Sequence, residues 1–86
     1  MTIYEMAEAR RAVWLAEHPG GHEWEKHDLP TEAQEELANC WNYLQAEVGR
    51  LDGRRHQEES MLLLIHTLTL LPRAFDTIES YKETLK

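Results

Sequence analysis

The apolar segment between Met61 and Leu71 constrains the fold of this 86-residue chain more than any other feature. On a helix, its Leu, Ile and Met side chains point in almost every direction, and a helix of that kind has to be covered on several sides. A chain of this length leaves barely enough protein to provide the cover. The segment therefore predicts an all-α protein, a small three- or four-helix bundle that is completed by homodimerisation.

The self-association surface is predicted on this helix and on the segment that follows it. Pro72 is expected to end or kink the third helix, and a fourth helix then presents further apolar side chains. The residues expected to make contact with a second copy are Leu62, Ile65, Leu68, Phe75 and Ile78.

The prolines, glycines and helix-capping residues predict a single domain over residues 1–86, with helices at about 2–18, 31–51, 54–71 and 73–85 and a loop at 19–30. Thr2 with Glu5 forms a capping-box pattern at the start of the first helix, and Thr31 with Gln34 forms a second one. Pro19 and the glycines after it end the first helix, because proline disfavours a helical residue before it.

The second helix carries an apolar stripe with heptad spacing, formed by Leu37, Trp41, Leu44, Val48 and Leu51. The stripe spans two repeats, which is typical of an amphipathic helix in a bundle and too short for a coiled coil. Asp52 and Gly53 predict a break after it. The alternative is one continuous rod through the second and third helices, because Leu62 and Ile65 keep the same register.

Charge predicts the kind of partner. Sixteen Asp and Glu against nine Lys and Arg give a formal net charge of −7, which argues against direct binding of nucleic acid, since that affinity comes mainly from clustered Lys and Arg. Such a charge favours solubility and steers the molecule toward a basic surface of another protein. The expected partner-binding residues are Trp24, Glu32, Glu35 and Glu36. Trp24 has a second interpretation, as a plug in the gap between helices.

No membrane partner and a cytoplasmic location are expected. The longest uninterrupted apolar run, Met61 to Ile65, is far shorter than the ~20 residues of a membrane span. Cys40 is the only cysteine, so the chain has no internal disulfide, and the N-terminus lacks an apolar signal segment.

A structural metal site is one alternative hypothesis. His18, His22 and His27 lie close together in sequence among acidic residues, and zinc is held by three or four such donors. The pattern departs from the H-E-x-x-H motif, because His22 and His27 are five residues apart rather than four. We interpret these side chains as exposed loop residues, and no cofactor is predicted.

An enzyme is the other alternative. Glu5 and Glu8 form an E-x-x-E pair, and the segment 35–44 resembles a helix of the MazG-type all-α nucleotide pyrophosphohydrolases, which carry E-x-x-E followed later by E-x-x-D. The resemblance implies magnesium-dependent hydrolysis of a nucleoside triphosphate with Glu5, Glu8 and Glu36 as ligands. The sequence departs from that pattern at Asn39, where the family has an acid, and it has no acidic pair on the third helix. The preferred hypothesis has no catalytic residues: a protein-binding module that acts as an inhibitor or adaptor.

Overall fold

The computed structural model describes residues 1–21, 24–51 and 58–86. Over these residues the chain forms helices and no strands, which confirms the all-α prediction. The elements are α1 (Ile3–Glu17), a short 3₁₀ helix (Trp24–Lys26), α2 (Leu29–Leu51) and α3 (Glu58–Glu83).

The start of α1 is fixed by the predicted capping box. The Thr2 hydroxyl accepts a hydrogen bond of 3.1 Å from the Glu5 amide, and the Thr2 amide donates one of 3.0 Å to the Glu5 carboxylate. Two amides of the first turn, which have no partner within a helix, are satisfied in this way. The helix ends at Glu17, and Gly21 then takes a positive φ of 79°, a conformation that glycine adopts without strain.

The start of α2 differs from the prediction. The helix begins at Leu29, and Asp28 takes the place that the sequence assigned to Thr31: its carboxylate accepts from the Thr31 amide at 3.3 Å and from the Thr31 hydroxyl at 2.7 Å. The predicted box of Thr31 and Gln34 is wrong because an Asp three residues before Thr31 provides a stronger, charged acceptor for the orphan amides.

Helices α2 and α3 pack against each other as an antiparallel hairpin. Gln34, near the start of α2, donates to the carbonyl oxygen of Phe75 and to the carboxylate of Glu79, both near the end of α3. A continuous rod through both helices is therefore excluded. The predicted turn at Asp52 and Gly53 lies outside the described residues.

Pro72 does not end a helix, so the predicted division into helices 54–71 and 73–85 is wrong. α3 runs through Pro72 to Glu83. Proline removes one helical hydrogen bond and clashes with the preceding turn, at a cost of about 3 kcal/mol. The side chains before and after it, Leu71 and Phe75, both line the groove that α3 forms with α2, so α3 stays beside α2 through the proline.

The chain is more extended than a closed bundle of its size. Its radius of gyration is 16.6 Å, against about 12 Å for a compact chain of this length. Its accessible surface is 7458 Å², against about 5,300 Å² expected for a folded monomer of this mass. In α1, every residue except Trp14 is exposed to solvent. The structure thus consists of a packed helical hairpin and a helix that the hairpin does not cover.

Candidate functional site

One flank of the hairpin carries an open apolar groove of about 290 Å³. It lies between α2 and α3 beside Pro72, and most of its lining side chains are aromatic or aliphatic. The lining residues are Leu37, Ala38, Trp41, Asn42, Leu71, Pro72, Phe75 and Asp76. At 100° per residue, Ile65 and Leu62 continue this flank along α3 toward its start. This flank thus carries several exposed apolar side chains, and exposed apolar surface of this kind can mark a binding site.

The residues predicted for self-association are divided between surface and core. Leu62 and Ile65 are 67% and 47% exposed, and Phe75 lines the groove. Ile78 is half-buried. Leu68 is only 7% exposed and is the buried apolar residue of the described chain, so it packs within the hairpin and is not accessible to a second copy.

A second apolar strip on α3 was not predicted. Leu63, Leu70 and Tyr81 are exposed on the flank opposite the groove. Their spacing of seven and eleven residues places them on one side of a helix, and this spacing was the signal in the sequence that could have revealed them. Near the start of α3, the strip borders a shallow depression between Leu51 and Leu63.

The predicted acidic residues lie on the outer face of α2. Glu32, Glu35 and Glu36 are exposed, and the helical repeat turns them away from the side that carries Gln34 and Leu37. The Glu32 carboxylate lies 2.9 Å from the Nδ1 of His27 and holds the segment before α2 against the helix. These three carboxylates form an acidic face at the N-terminal half of α2.

The structure places Trp24 beside α1 and not on the acidic face. Its ring borders a wide groove together with side chains from the C-terminal half of α1 and remains 52% exposed. The other residues of this groove are Arg10, Arg11, Val13, Trp14 and Glu17. The 3₁₀ helix thus folds onto α1, although it immediately precedes α2 in sequence.

A polar cluster that was not predicted from the sequence links α2 and α3 at the open end of the hairpin. The Lys82 ammonium donates to the Thr31 hydroxyl at 2.9 Å and to the Gln34 side-chain oxygen at 3.0 Å. Gln34, 4% exposed, donates in turn to Glu79 and to the Phe75 carbonyl. The signal in the sequence was that Gln34 and Lys82 occupy positions of the seven-residue stripe where an apolar residue is normal.

The same cluster perturbs Asp28. The hydrogen bond from the Thr31 hydroxyl, and after it the one from the Thr31 amide, lower the pKa of the Asp28 carboxyl below its ordinary value of 3.8. Lys82 contributes a smaller attraction in the same direction. The cluster has a structural role in the hairpin, because its members form one connected chain of hydrogen bonds between α2 and α3.

Two of the three histidines proposed as metal ligands, His18 and His27, lie in the described part of the chain and contact other side chains there. The His18 ring stacks on Trp14 with ring centroids 3.9 Å apart, and His27 pairs with Glu32. His22 lies outside the described residues. Within residues 1–21, 24–51 and 58–86, no three His, Cys, Asp or Glu side chains come together as metal ligands.

The carboxylates of the enzyme hypothesis are not gathered into one site within the chain. Glu5 and Glu8 lie on α1, which does not pack along α2, and Glu36 lies on the outer face of α2. The Glu5 carboxylate caps its own helix. The described residues therefore do not bring Glu5, Glu8 and Glu36 together around a cation.

Comparisons with protein families, curated proteins and solved structures give no match for this chain. Within the described chain, α3 is long and apolar enough, by length and composition alone, to cross a membrane. Core helices of soluble proteins meet the same criterion, so the observation does not decide the surroundings of α3. The groove flank, the acidic face and the exposed α1 are the surfaces from which a function can be argued.

Proposed function

We propose that this protein is a non-catalytic protein-binding module, an inhibitor or adaptor. It forms a homodimer through the exposed side of α3 and docks the acidic face of α2 on a basic surface of another protein. The observation that carries the proposal is the combination of these two surfaces on one hairpin: uncovered apolar residues on α3 and a row of exposed carboxylates on the outside of α2.

The area of uncovered surface supports self-association. The chain exposes about 2,200 Å² more than a folded monomer of its mass, so two chains together carry an excess of about 4,400 Å². Obligate homodimers bury about 2,000–5,000 Å² in apolar interfaces. An interface between two copies therefore accounts for the excess without a further component.

The position of the charges supports a protein partner with a basic surface. The three carboxylates lie in the first two turns of α2, those of Glu32, Glu35 and Glu36. The helix dipole favours negative charge near this end of the helix, and all three side chains are exposed to solvent. A row of like charges raises the association rate with a surface of opposite sign, and added salt weakens that attraction. A net charge of −7 disfavours binding to nucleic acid and is consistent with the proposed protein partner.

Light scattering at micromolar concentration tests the self-association. We expect a mass of twice the chain mass of 10.1 kDa. The variant Leu62→Lys with Ile65→Lys should be monomeric, because two charges then lie in the apolar contact. Ala74→Lys with Thr77→Lys adds the same two charges at exposed positions on another side of α3, is the matched control and should remain dimeric. A wild-type monomer at this concentration rules out the self-association.

An affinity pull-down with matched charge variants tests the docking. Glu32→Gln with Glu35→Gln and Glu36→Gln should lose a stoichiometric basic partner that the wild type retains at low salt. Glu8→Gln with Glu58→Gln and Glu59→Gln removes the same number of charges elsewhere and should retain that partner. Equal retention by both triple variants, or retention by the wild type that does not weaken with salt, contradicts docking through the acidic face of α2.

A further inference from the structure

α1 is the element that the hairpin leaves uncovered. It has 15 residues, and an isolated helix of that length is marginal in water. Ile3, Met6 and Val13 follow a helical spacing, with Arg10 between them, and all of them are exposed. This stripe, Ile3–Met6–Arg10–Val13, requires an apolar surface to stabilise the helix, since neither α2 nor α3 provides one in the same chain.

The groove on the hairpin has the matching character. Its lining includes the apolar side chains of Trp41, Leu71 and Phe75 and the carboxylate of Asp76. An apolar helix stripe laid in such a groove buries large aromatic area, which is the usual source of affinity when a helix binds a groove. The positive charge of Arg10 on the stripe complements the negative charge of Asp76 in the groove lining.

We propose that α1 of one copy packs the Ile3–Met6–Arg10–Val13 stripe into the groove of a second copy, and that the two copies exchange α1 reciprocally. The proposal rests on the proposed self-association and names its interface. A two-fold exchange covers both the stripe and the groove of each chain in one step, as an isologous dimer requires. It also uses surface from the 2,200 Å² excess that each chain carries, about the area a stable homodimer needs from each partner.

The described residues between α1 and α2 contact one or the other helix. Trp24 lies against the C-terminal half of α1, and His27 and Asp28 are held at the start of α2 by Glu32 and Thr31. These contacts place Trp24 on α1 and His27 and Asp28 on the start of α2, and α1 does not pack along the hairpin of its own chain. They leave its N-terminal half, with Ile3 and Met6, accessible to another molecule.

Cross-linking between chains that carry one cysteine each tests the exchange, because Cys40 is the only native cysteine. In a Cys40→Ala background, a Met6→Cys chain is mixed with a tagged Ala38→Cys chain and oxidised. We expect a disulfide-linked pair containing one of each. Glu8→Cys, on the opposite side of α1, is the control and should give none with Ala38→Cys. Absence of the Met6–Ala38 product overturns the proposal.

A chain carrying both Met6→Cys and Ala38→Cys shows whether the α1 that occupies the groove belongs to the same chain or to the second copy. Exchange predicts a covalent dimer, whereas a cross-linked monomer shows that α1 packs on its own hairpin and overturns the exchange. If wild type is a dimer by light scattering in that case, self-association stands and only the exchange fails. A wild-type monomer removes both.

Dissociation measured by analytical ultracentrifugation provides a second, independent readout. Met6→Lys should raise the dimer dissociation constant about tenfold or more, because burial of a methionine is lost and a charge is introduced. Ala12→Lys adds the same charge on the other side of α1 and should leave the constant unchanged. Flotation with phosphatidylcholine vesicles that Met6→Lys abolishes would assign the stripe to a lipid surface and overturn the proposal.

Discussion

The ammonium group of Lys82, near the end of α3, lies 3.0 Å from the side-chain oxygen of Gln34, near the start of α2, and donates a hydrogen bond to it. Gln34 is almost fully buried, so this contact and its bonds to α3 satisfy polar atoms that would otherwise be desolvated without a partner. The pair stands at positions of the apolar stripe on facing helices. A polar pair at such positions fixes which turns of the two helices meet, since a shifted register leaves both groups unsatisfied.

A double-mutant cycle on this pair measures its contribution. Gln34→Met, which nearly preserves volume, should lower the free energy of unfolding by about 1–3 kcal/mol, because Lys82 loses an acceptor and the helices lose a cross-link. The coupling with Lys82→Met should be about 0.5–3 kcal/mol. Urea unfolding at one fixed protein concentration provides the measurement. Lys86→Met, at an exposed site, should change it by less than about 0.5 kcal/mol. Strict additivity of the two substitutions contradicts the interpretation.

The low pKa of Asp28 predicts a dependence of stability on pH. A carboxyl whose folded pKa lies below its ordinary value of 3.8 stabilises the fold above that value, and the contribution is lost as the pH falls through the lowered pKa. Melting temperatures recorded between about pH 5 and pH 2 should therefore fall less steeply for Asp28→Asn than for wild type. Thr31→Val removes the hydroxyl hydrogen bond, which is the larger cause, and keeps the amide one, so it should flatten the curve in the same direction but less than Asp28→Asn. Parallel curves for all three proteins contradict the assignment.

Pro72 predicts a gain of stability on substitution. It has no amide hydrogen for the carbonyl of Leu68, four residues earlier in α3. Pro72→Ala restores this bond and should raise the free energy of unfolding by about 1–3 kcal/mol in chemical denaturation. Arg73→Ala, the neighbouring exposed position, should change it by less than about 0.5 kcal/mol. A loss of stability in Pro72→Ala would mean that the shape of α3 at this proline is needed for its packing on α2.

Two leucines within one turn of α3 are predicted to differ in how much stability their replacement costs. Leu68→Ala removes the buried apolar residue of the hairpin and should cost about 2–5 kcal/mol. Leu70→Ala, on the exposed opposite flank, should cost less than about 1 kcal/mol. Thermal or urea unfolding of both variants at the same concentration compares them. Equal losses would show that the flank of Leu70 is covered in solution.

Local signals in the sequence were sufficient to predict where α1 begins and that α2 is amphipathic. Thr2 and Glu5 interact within one turn, so their capping box could be predicted from spacing alone. The helical period of the α2 stripe likewise predicted an amphipathic helix. The start of α2 was mispredicted because Asp28 and Thr31 both match a capping pattern, and only the backbone geometry selects one of them.

The sequence by itself determined that the chain is helical, where α1 begins, and that α3 carries more apolar surface than one chain covers. These properties depend on hydrogen bonds within a turn and on side-chain periodicity, both of which are local. The tertiary structure decided that Leu68 is buried while Leu62 is exposed, that α3 continues through Pro72, and that Gln34 meets Lys82. A helix that is apolar on almost every side does not specify which side faces its neighbour. The side of α3 that is buried is determined by the antiparallel packing of α2, which brings together residues that are far apart in the sequence.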